Sequence, residues 1–440
     1  MYELMDELYP ITRSITGEGV RKTLKIIQNF IDLKIHEVPS GTKVFDWAVP
    51  QEWNIRDAYI MNDKNEKIID FRKSNLHVAQ YSKKIKKRIK LDELKKHIFT
   101  LPDQPNVIPY VTSFYNENWG FCMSNNQFQK LNDDEYIVNI ESEHKNGSLT
   151  YGEFVIEGES KEEILISTYV CHPSLCNDNL SGPVLATFLA EYLSKQKLHY
   201  SIRFLFIPET IGAITWLALN EDKIKNIFHG LVATCVGDSG ISTYKKSRDG
   251  NNIIDEVVIE VLKESGKPYK IMDFWPSGSD ERQYCSPAFN LPVGSLMRTP
   301  YDMFEEYHTS EDNLSFMNKE CLADSFFKYL SVIQKLEGNF NYVKPEKITL
   351  ENKKSVKNNP VFLNLFPKCE PRLGKRKIYE EIGGVKNQDS LKQKKAIQWI
   401  LNLSDGKHSL RDIQERSGLE FDMLFDMANL LENKKLLSHV

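Results

Sequence analysis

Apolar positions change their period several times along this chain, and the changes divide it. Residues 2–9 and 20–31 carry apolar side chains at helical spacing on either side of Thr12-Arg13-Ser14-Ile15-Thr16-Gly17, a turn rich in capping hydroxyls. Between about 37 and 134 long helical periodicity is lost, with prolines at 39, 50, 102, 105 and 109, many aromatics and short β-rich runs. That stretch predicts a small β-rich inserted domain, placed as a lid or platform. Residues 136–140, 151–156, 164–170, 202–207 and 231–236 then read as strands, and 182–193 as an apolar helix. Strands and helices alternate to about 296, which predicts an α/β fold: a mixed sheet flanked by helices. Residues 346–376 are rich in Lys, Asn and Pro and read as a linker, and 377–440 as a winged-helix-like domain. In that domain 391–403, 410–416 and 421–431 have helix-turn-helix spacing, with turns at Asp405-Gly406 and Ser417-Gly418. The expected division is therefore an α/β domain from 1–36 and 135–345, an insertion at 37–134, the linker and the C-terminal domain.

The most telling chemistry lies in Cys171-His172-Pro173-Ser174-Leu175-Cys176-Asn177-Asp178-Asn179-Leu180-Ser181-Gly182, between an apolar strand and an apolar helix. A histidine and an acid at the carboxyl edge of an open α/β sheet stand where such folds bind ligands. The plainer alternative is an aspartate capping the helix and a surface histidine. Partners follow at comparable places: Glu209 after the strand 202–207, Asp238 after 231–236, and His308 within the acidic stretch Glu305-Glu306-Tyr307-His308-Thr309-Ser310-Glu311-Asp312-Asn313. Two histidines and three acids suit zinc, which takes imidazole nitrogen and carboxylate oxygen and keeps a position open in catalytic sites. Glu209 is then placed to serve as a base. Cys171 and Cys176 flank His172 as alternative ligands, although single cysteines are more often small core residues.

On these residues, over 1–16 and 158–336, the chain resembles the zinc aminopeptidases of the phosphorylase/hydrolase-like fold, peptidase clan MH. The Asp-Asn-x-Ser-Gly element at Asp178 is the most specific part of the match. The resemblance implies that His172 and Asp238 hold one zinc, Asp178 bridges, His308 holds the other and Glu209 is the general base. It also places the substrate pocket near Arg282, Tyr284, Arg298 and Tyr301, where an arginine could clamp a carboxylate or phosphate. A structural ion pair is the alternative for each arginine. Asp280 and Asp312 are candidates to orient histidine or arginine from behind. Two departures stand out. The family's Glu-Glu is Glu209-Thr210 here, and its His-x-Asp is His172-Pro173-Ser174, so one ligand and one supporting acid are missing. One tight zinc with a weak second is the expectation. Cys-His-Pro-Ser, Tyr244-Lys245-Lys246-Ser247-Arg248 and Gly278-Ser279-Asp280-Glu281-Arg282-Gln283-Tyr284 resemble more closely a bacterial aminopeptidase-like subfamily with a small inserted domain and a C-terminal winged helix. Members of that subfamily are often labelled as associated with polysaccharide biosynthesis.

Bulk properties narrow the reading. A net charge of -4 gives no general case for nucleic acid or anionic membrane, and there is neither a basic-flanked apolar leader nor a run long enough to span a bilayer. Seven scattered cysteines suit reduced thiols, so a cytoplasmic location is expected. The run Lys83-Lys84-Ile85-Lys86-Lys87-Arg88-Ile89-Lys90 reads as a solvated face or oligomer contact before a polyanion site. The natural recognition helix of the C-terminal domain, 421–432, carries no Lys or Arg, which argues for protein contacts or homo-oligomer formation over a DNA groove. The function expected is zinc-assisted hydrolysis of an amide bond in a short peptide or aminoacyl conjugate. A degenerate hydrolase scaffold acting in binding or assembly is the alternative, and a DNA-binding regulator ranks last.

Overall fold

The strands Glu163–Tyr169 and Ser201–Ile207 are buried along their whole length, as strands covered on both faces must be. They are the middle of an eight-stranded sheet in the computed structural model, which describes residues 1–132, 134–338, 352–356, 359–378 and 388–440. The sheet order is Lys34–Pro39, Ser148–Ile156, Ser201–Ile207, Glu163–Tyr169, Ile227–Val232, Val293–Met297, Ser242–Lys245, Tyr269–Met272. Its four central strands run parallel, while Ser148–Ile156 and Ser242–Lys245 pair antiparallel at their flanks. This is the expected mixed sheet with helices on both faces. One face is covered by Tyr2–Leu8, Glu18–Ile27, Ser181–Leu193, Ile253–Glu264 and Lys319–Gly338, and the other by Ile211–Leu219. Gly182 lets the helix Ser181–Leu193 lie directly on the sheet, since a Cβ there would stand 2.1 Å from the Ala233 carbonyl oxygen.

The inserted domain is β-rich, but its border differs from the one expected. Glu135–Lys145, assigned from the sequence to the α/β domain, pairs with both Glu52–Met61 and Ile85–Lys90 in a separate four-stranded antiparallel sheet. Tyr136, Val138 and Ile140 alternate into that sheet's own core. Alternation marks a strand but does not say which sheet receives it. The basic run forms the edge strand Ile85–Lys90, with its cationic side chains exposed to solvent.

A second border also moves. Val361–Asn364, expected within the linker, is the central strand of a three-stranded sheet with Asp405–Ser409 and Leu437–His439. With the helices Gln388–Leu403, Leu410–Ser417 and Phe421–Asn433 it makes the winged helix, while 346–351 and 357–358 of the expected linker lie outside the described residues. Among the described residues no helix is long and apolar enough to cross a membrane.

Candidate metal centre

Two loops at the carboxyl ends of parallel strands, one after Glu163–Tyr169 and one after Val293–Met297, bring His172, Asp178 and His308 together. One donor atom from each lies within 4.8 Å of the others. His172 follows the strand Glu163–Tyr169 and is 4% exposed. Its backbone is fixed on both sides: its N–H donates to Asn179 Oδ1 at 3.0 Å, and its carbonyl accepts from Arg13 Nε at 2.8 Å. Burial pushes the imidazole pKa down to about 4, which keeps the ring in the neutral form that binds metals.

Asp178 sits in the irregular turn Cys176–Leu180. Asp312 holds that turn by accepting from the backbone N–H groups of Asn177 (2.6 Å) and Asp178 (2.8 Å). The Tyr169 hydroxyl donates to Asp178 Oδ1 and also meets Thr234 Oγ1 at 2.6 Å. Burial pushes the Asp178 carboxyl up, but the two imidazoles and the Tyr169 hydroxyl more than offset it, so the group is held below the ordinary aspartate range. His308, in the left-handed region at φ 55°, stacks on Tyr307 and places Nε2 2.9 Å from Asp178 Oδ2. Both atoms are buried, and neither has a partner other than the opposite one. Two imidazoles and a carboxylate oxygen that meet only one another in a buried cluster are the donor types a zinc ion takes, so the residues present fit it.

Glu209 stands beside this group at the end of Ser201–Ile207, its Oε2 3.8 Å from His172 Nε2. Burial and then the charge of Asp178 raise its pKa to about 7, against the opposing pull of Arg282 and His308. A cleft of about 220 Å3 opens over His172, Glu209 and His308. Its far wall comes from the inserted domain, through Tyr110, Phe114 and Tyr115. The Tyr110 N–H donates to the His308 carbonyl at 2.8 Å, so the insertion is bonded to the loop that carries the second histidine.

Other expected positions fall elsewhere. Asp238 is a correction: its carboxylate is engaged by Asn177 Nδ2 (2.9 Å), Gly240 N (2.6 Å), Thr299 N (3.1 Å) and Thr299 Oγ1 (2.7 Å), outside the three-donor group. Thr234, four residues earlier, is the side chain that faces Tyr169 and Asp178. Tyr284 is fully buried with its hydroxyl on Ser167 Oγ at 2.8 Å, so it belongs to the core and not to a substrate pocket. Arg298 is held by the Gly240 carbonyl at 2.8 Å and by Asp324 at 2.9 Å. Tyr301 gives its hydroxyl to a buried group, 2.7 Å from Lys245 Nζ and 2.5 Å from Glu281 Oε1. Of the four substrate candidates only Arg282 reaches the neighbourhood of Glu209, and it does so through Thr210 Oγ1 at 2.8 Å. Asp280 accepts from Thr210 N at 2.6 Å, and Asp312 holds backbone, so neither orients a histidine directly. Cys171 and Cys176 stay outside the metal group, and burial pushes both thiols up.

Sequence reasoning missed Tyr169, Arg13 and Tyr110. Tyr169 had a faint signal, a polar-tipped residue closing an apolar strand. The other two reach the site only through folding over long sequence separations.

Residues 2–339 match the family described as domain of unknown function DUF4910. The chain belongs to the DUF4910 family. Residues 360–439 match a winged helix-turn-helix. A protein of Clostridium acetobutylicum, provisionally named a polysaccharide biosynthesis protein with an aminopeptidase-like domain, is 55% identical over all of this chain and 96% of its own length. A crystal structure of a provisionally assigned peptidase from the same organism is 54% identical, with a TM-score of 0.75 over 100% of this chain and 96% of that one. A zinc aminopeptidase from Bacillus subtilis aligns with a TM-score of 0.55 at 12% identity, over 76% of this chain and 93% of that one. A peptidase M28 precursor from Shewanella amazonensis gives 0.54 at 13% identity, over 78% and 93%. This DUF4910 chain therefore has an aminopeptidase-like fold followed by a winged helix.

Proposed function

We propose that this DUF4910 protein is a zinc-dependent hydrolase that cleaves an amide bond of a short peptide or aminoacyl conjugate. The observation that carries the reading is the convergence of His172, Asp178 and His308 beside Glu209, with Asp178 Oδ2 and His308 Nε2 buried and facing only each other. His172, Asp178 and His308 would hold the ion. When bound, zinc supplies Lewis acidity, polarising a carbonyl and bringing the pKa of water towards about 7. Glu209, raised to about 7, is suited to take a proton from the attacking water and return it to the leaving amine at neutral pH. The aromatic wall of the inserted domain provides apolar contact for the substrate and shields the reacting groups from bulk water. The name of the Clostridium acetobutylicum relative and the fold of the Bacillus subtilis zinc aminopeptidase are in keeping with this reading.

A scaffold role is favoured by one observation: Thr210 supplies a hydroxyl beside Glu209, and Asp238 is engaged elsewhere, so the donor set is smaller than the resemblance implies. Glu209→Gln separates the two. It keeps size and hydrogen bonding but removes basicity, so zinc content by elemental analysis should match wild type while turnover of aminoacyl amides and dipeptides falls by about 10²–10⁴-fold. Zinc-loaded wild type that is inert across the panel, or a Glu209→Gln variant as active as wild type, would sink the hydrolase reading. For the winged helix we propose protein contact within a cytoplasmic homo-oligomer. That reading is supported by the absence of Lys and Arg from Phe421–Asn433 and by seven free cysteines.

A further inference from the structure

Glu209 is the last residue before an unusual reversal of the chain. Thr210 has φ 63° and ψ -74°, and the Ile211 N–H donates to the Glu209 carbonyl at 2.7 Å across it. This is a γ-turn of the strained, positive-φ kind, and the residue at its centre is β-branched, for which that region is especially unfavourable. Such strain persists only where surrounding structure imposes it. Here two side chains do so. Asp280 accepts the Thr210 N–H at 2.6 Å, and Arg282 Nη2 donates to Thr210 Oγ1 at 2.8 Å. Both come from the short helical turn around Glu281, whose carboxylate is anchored in the core by Lys245 Nζ at 2.5 Å.

Arg282 has a second partner outside the α/β domain. Glu370, between the strand Val361–Asn364 and the helix Gln388–Leu403 of the winged-helix domain, places Oε1 3.4 Å from its guanidinium. That segment is itself pinned. The Glu370 N–H donates to Gln283 Oε1 at 3.0 Å, the Glu370 carbonyl accepts from Trp47 Nε1 at 2.7 Å, and the Arg372 guanidinium lies 4.6 Å from the centre of the Tyr115 ring in the cleft wall. A continuous path of contacts therefore runs from the C-terminal segment through Arg282 to the turn that aims Glu209.

We infer that Arg282, braced by Glu370, is a positioning residue: it holds Thr210 in its strained turn and thereby sets where the Glu209 carboxylate stands. The inference rests on the hydrolase reading for its kinetic consequence but not for its structural one. It also gives the C-terminal module a route to the cleft, since anything that moves Glu370 loosens Arg282.

The test uses the full-length, zinc-loaded protein. Arg282→Gln should lower kcat by about 10–100-fold with KM little changed, because misplacing a reacting group by about an ångström is worth that much. Arg282→Lys, which keeps a donor and the charge, should recover part of the loss, and Glu370→Gln should show a smaller fall of the same kind. Crystal structures of the same zinc-loaded proteins supply a readout that needs no turnover: in Arg282→Gln the Glu209 carboxylate should leave its place beside His172, with zinc still bound. A rise in KM at unchanged kcat would mean that Arg282 touches substrate, and an unmoved Glu209 would mean that the turn holds itself; either overturns the inference. If wild type proves inert, the hydrolase reading fails while the position of Glu209 still decides this one.

Discussion

Asp312 offers a direct measure of how far the metal group depends on the turn beneath it. Its two oxygens accept separately from Asn177 N at 2.6 Å and from Asp178 N at 2.8 Å, and the residue is fully buried. Asp312→Asn keeps the shape but replaces one acceptor oxygen with an NH2 group, which has nothing to offer a backbone N–H. One of the two amides then faces a donor and is left unsatisfied in the interior, a loss of about 1–3 kcal/mol. Because Asp178 is one of the two residues so held, the strain falls on one of the three proposed zinc ligands. Removing groups that orient a ligand typically costs about 10–100-fold in metal affinity. Competition of zinc between protein and a calibrated chelator would read the affinity, and thermal unfolding of the metal-free protein would read the stability term separately. The variant should unfold at lower temperature and bind zinc about 10–100-fold more weakly. Wild-type zinc affinity together with an unchanged midpoint would show that the turn does not rely on Asp312, and the account of how Asp178 is presented would be wrong.

Gly182→Ala puts a Cβ 2.1 Å from a backbone oxygen of the neighbouring loop and 2.4 Å from Thr168 Oγ1, so the helix Ser181–Leu193 has to move off the sheet. Urea unfolding should report a loss of about 1–3 kcal/mol, and a variant as stable as wild type would refute the close approach. Asp324 supplies the pH prediction. Burial pushes its carboxyl up, but Lys267, Lys328 and Arg298 outweigh that and hold its pKa near 2, below the usual 3.8. A depressed folded pKa means that the contribution is fully present above about 4 and is lost as pH falls towards 2. Denaturant midpoints of metal-free Asp324→Asn should therefore be flatter than wild type across that acid window, and parallel acid limbs would count against the pairing.

Much of this fold could be read from the chain because its central strands are buried on both faces and announce themselves as continuous apolar runs. The same property places His172 and Glu209, each just past such a run. Asp178 and His308 were readable from local motif chemistry. What failed did so for identifiable reasons. Asp238 follows its strand at a distance that suits a ligand, yet the chain turns first, and Thr234 takes the inward position beside Tyr169. Tyr284, Arg298 and Tyr301 lie in the right part of the sequence, but their polar ends are consumed by Ser167, Asp324 and Lys245, partners whose positions depend on tertiary packing. The border strands Glu135–Lys145 and Val361–Asn364 show correct local character whose sheet is decided by pairing partners far away in sequence.

The donor set also bears on how many ions this site is suited to hold. A carboxylate that bridges two ions must offer an oxygen to each. Asp178 has one oxygen, Oδ1, already receiving the Tyr169 hydroxyl, and only Oδ2 stands open between the two imidazoles. A second ion would need either that hydroxyl to withdraw from a fully buried position or another acid to enter the group. Asp238 is tied by four hydrogen bonds, and Thr210 offers a neutral hydroxyl that already accepts from Arg282. Glu209 remains, but its carboxylate lies outside the three-donor group, with Oε2 3.8 Å from His172 Nε2. On the proposed hydrolase reading, one available carboxylate oxygen and two imidazole nitrogens therefore suit one firmly held zinc, with Glu209 left to the proton.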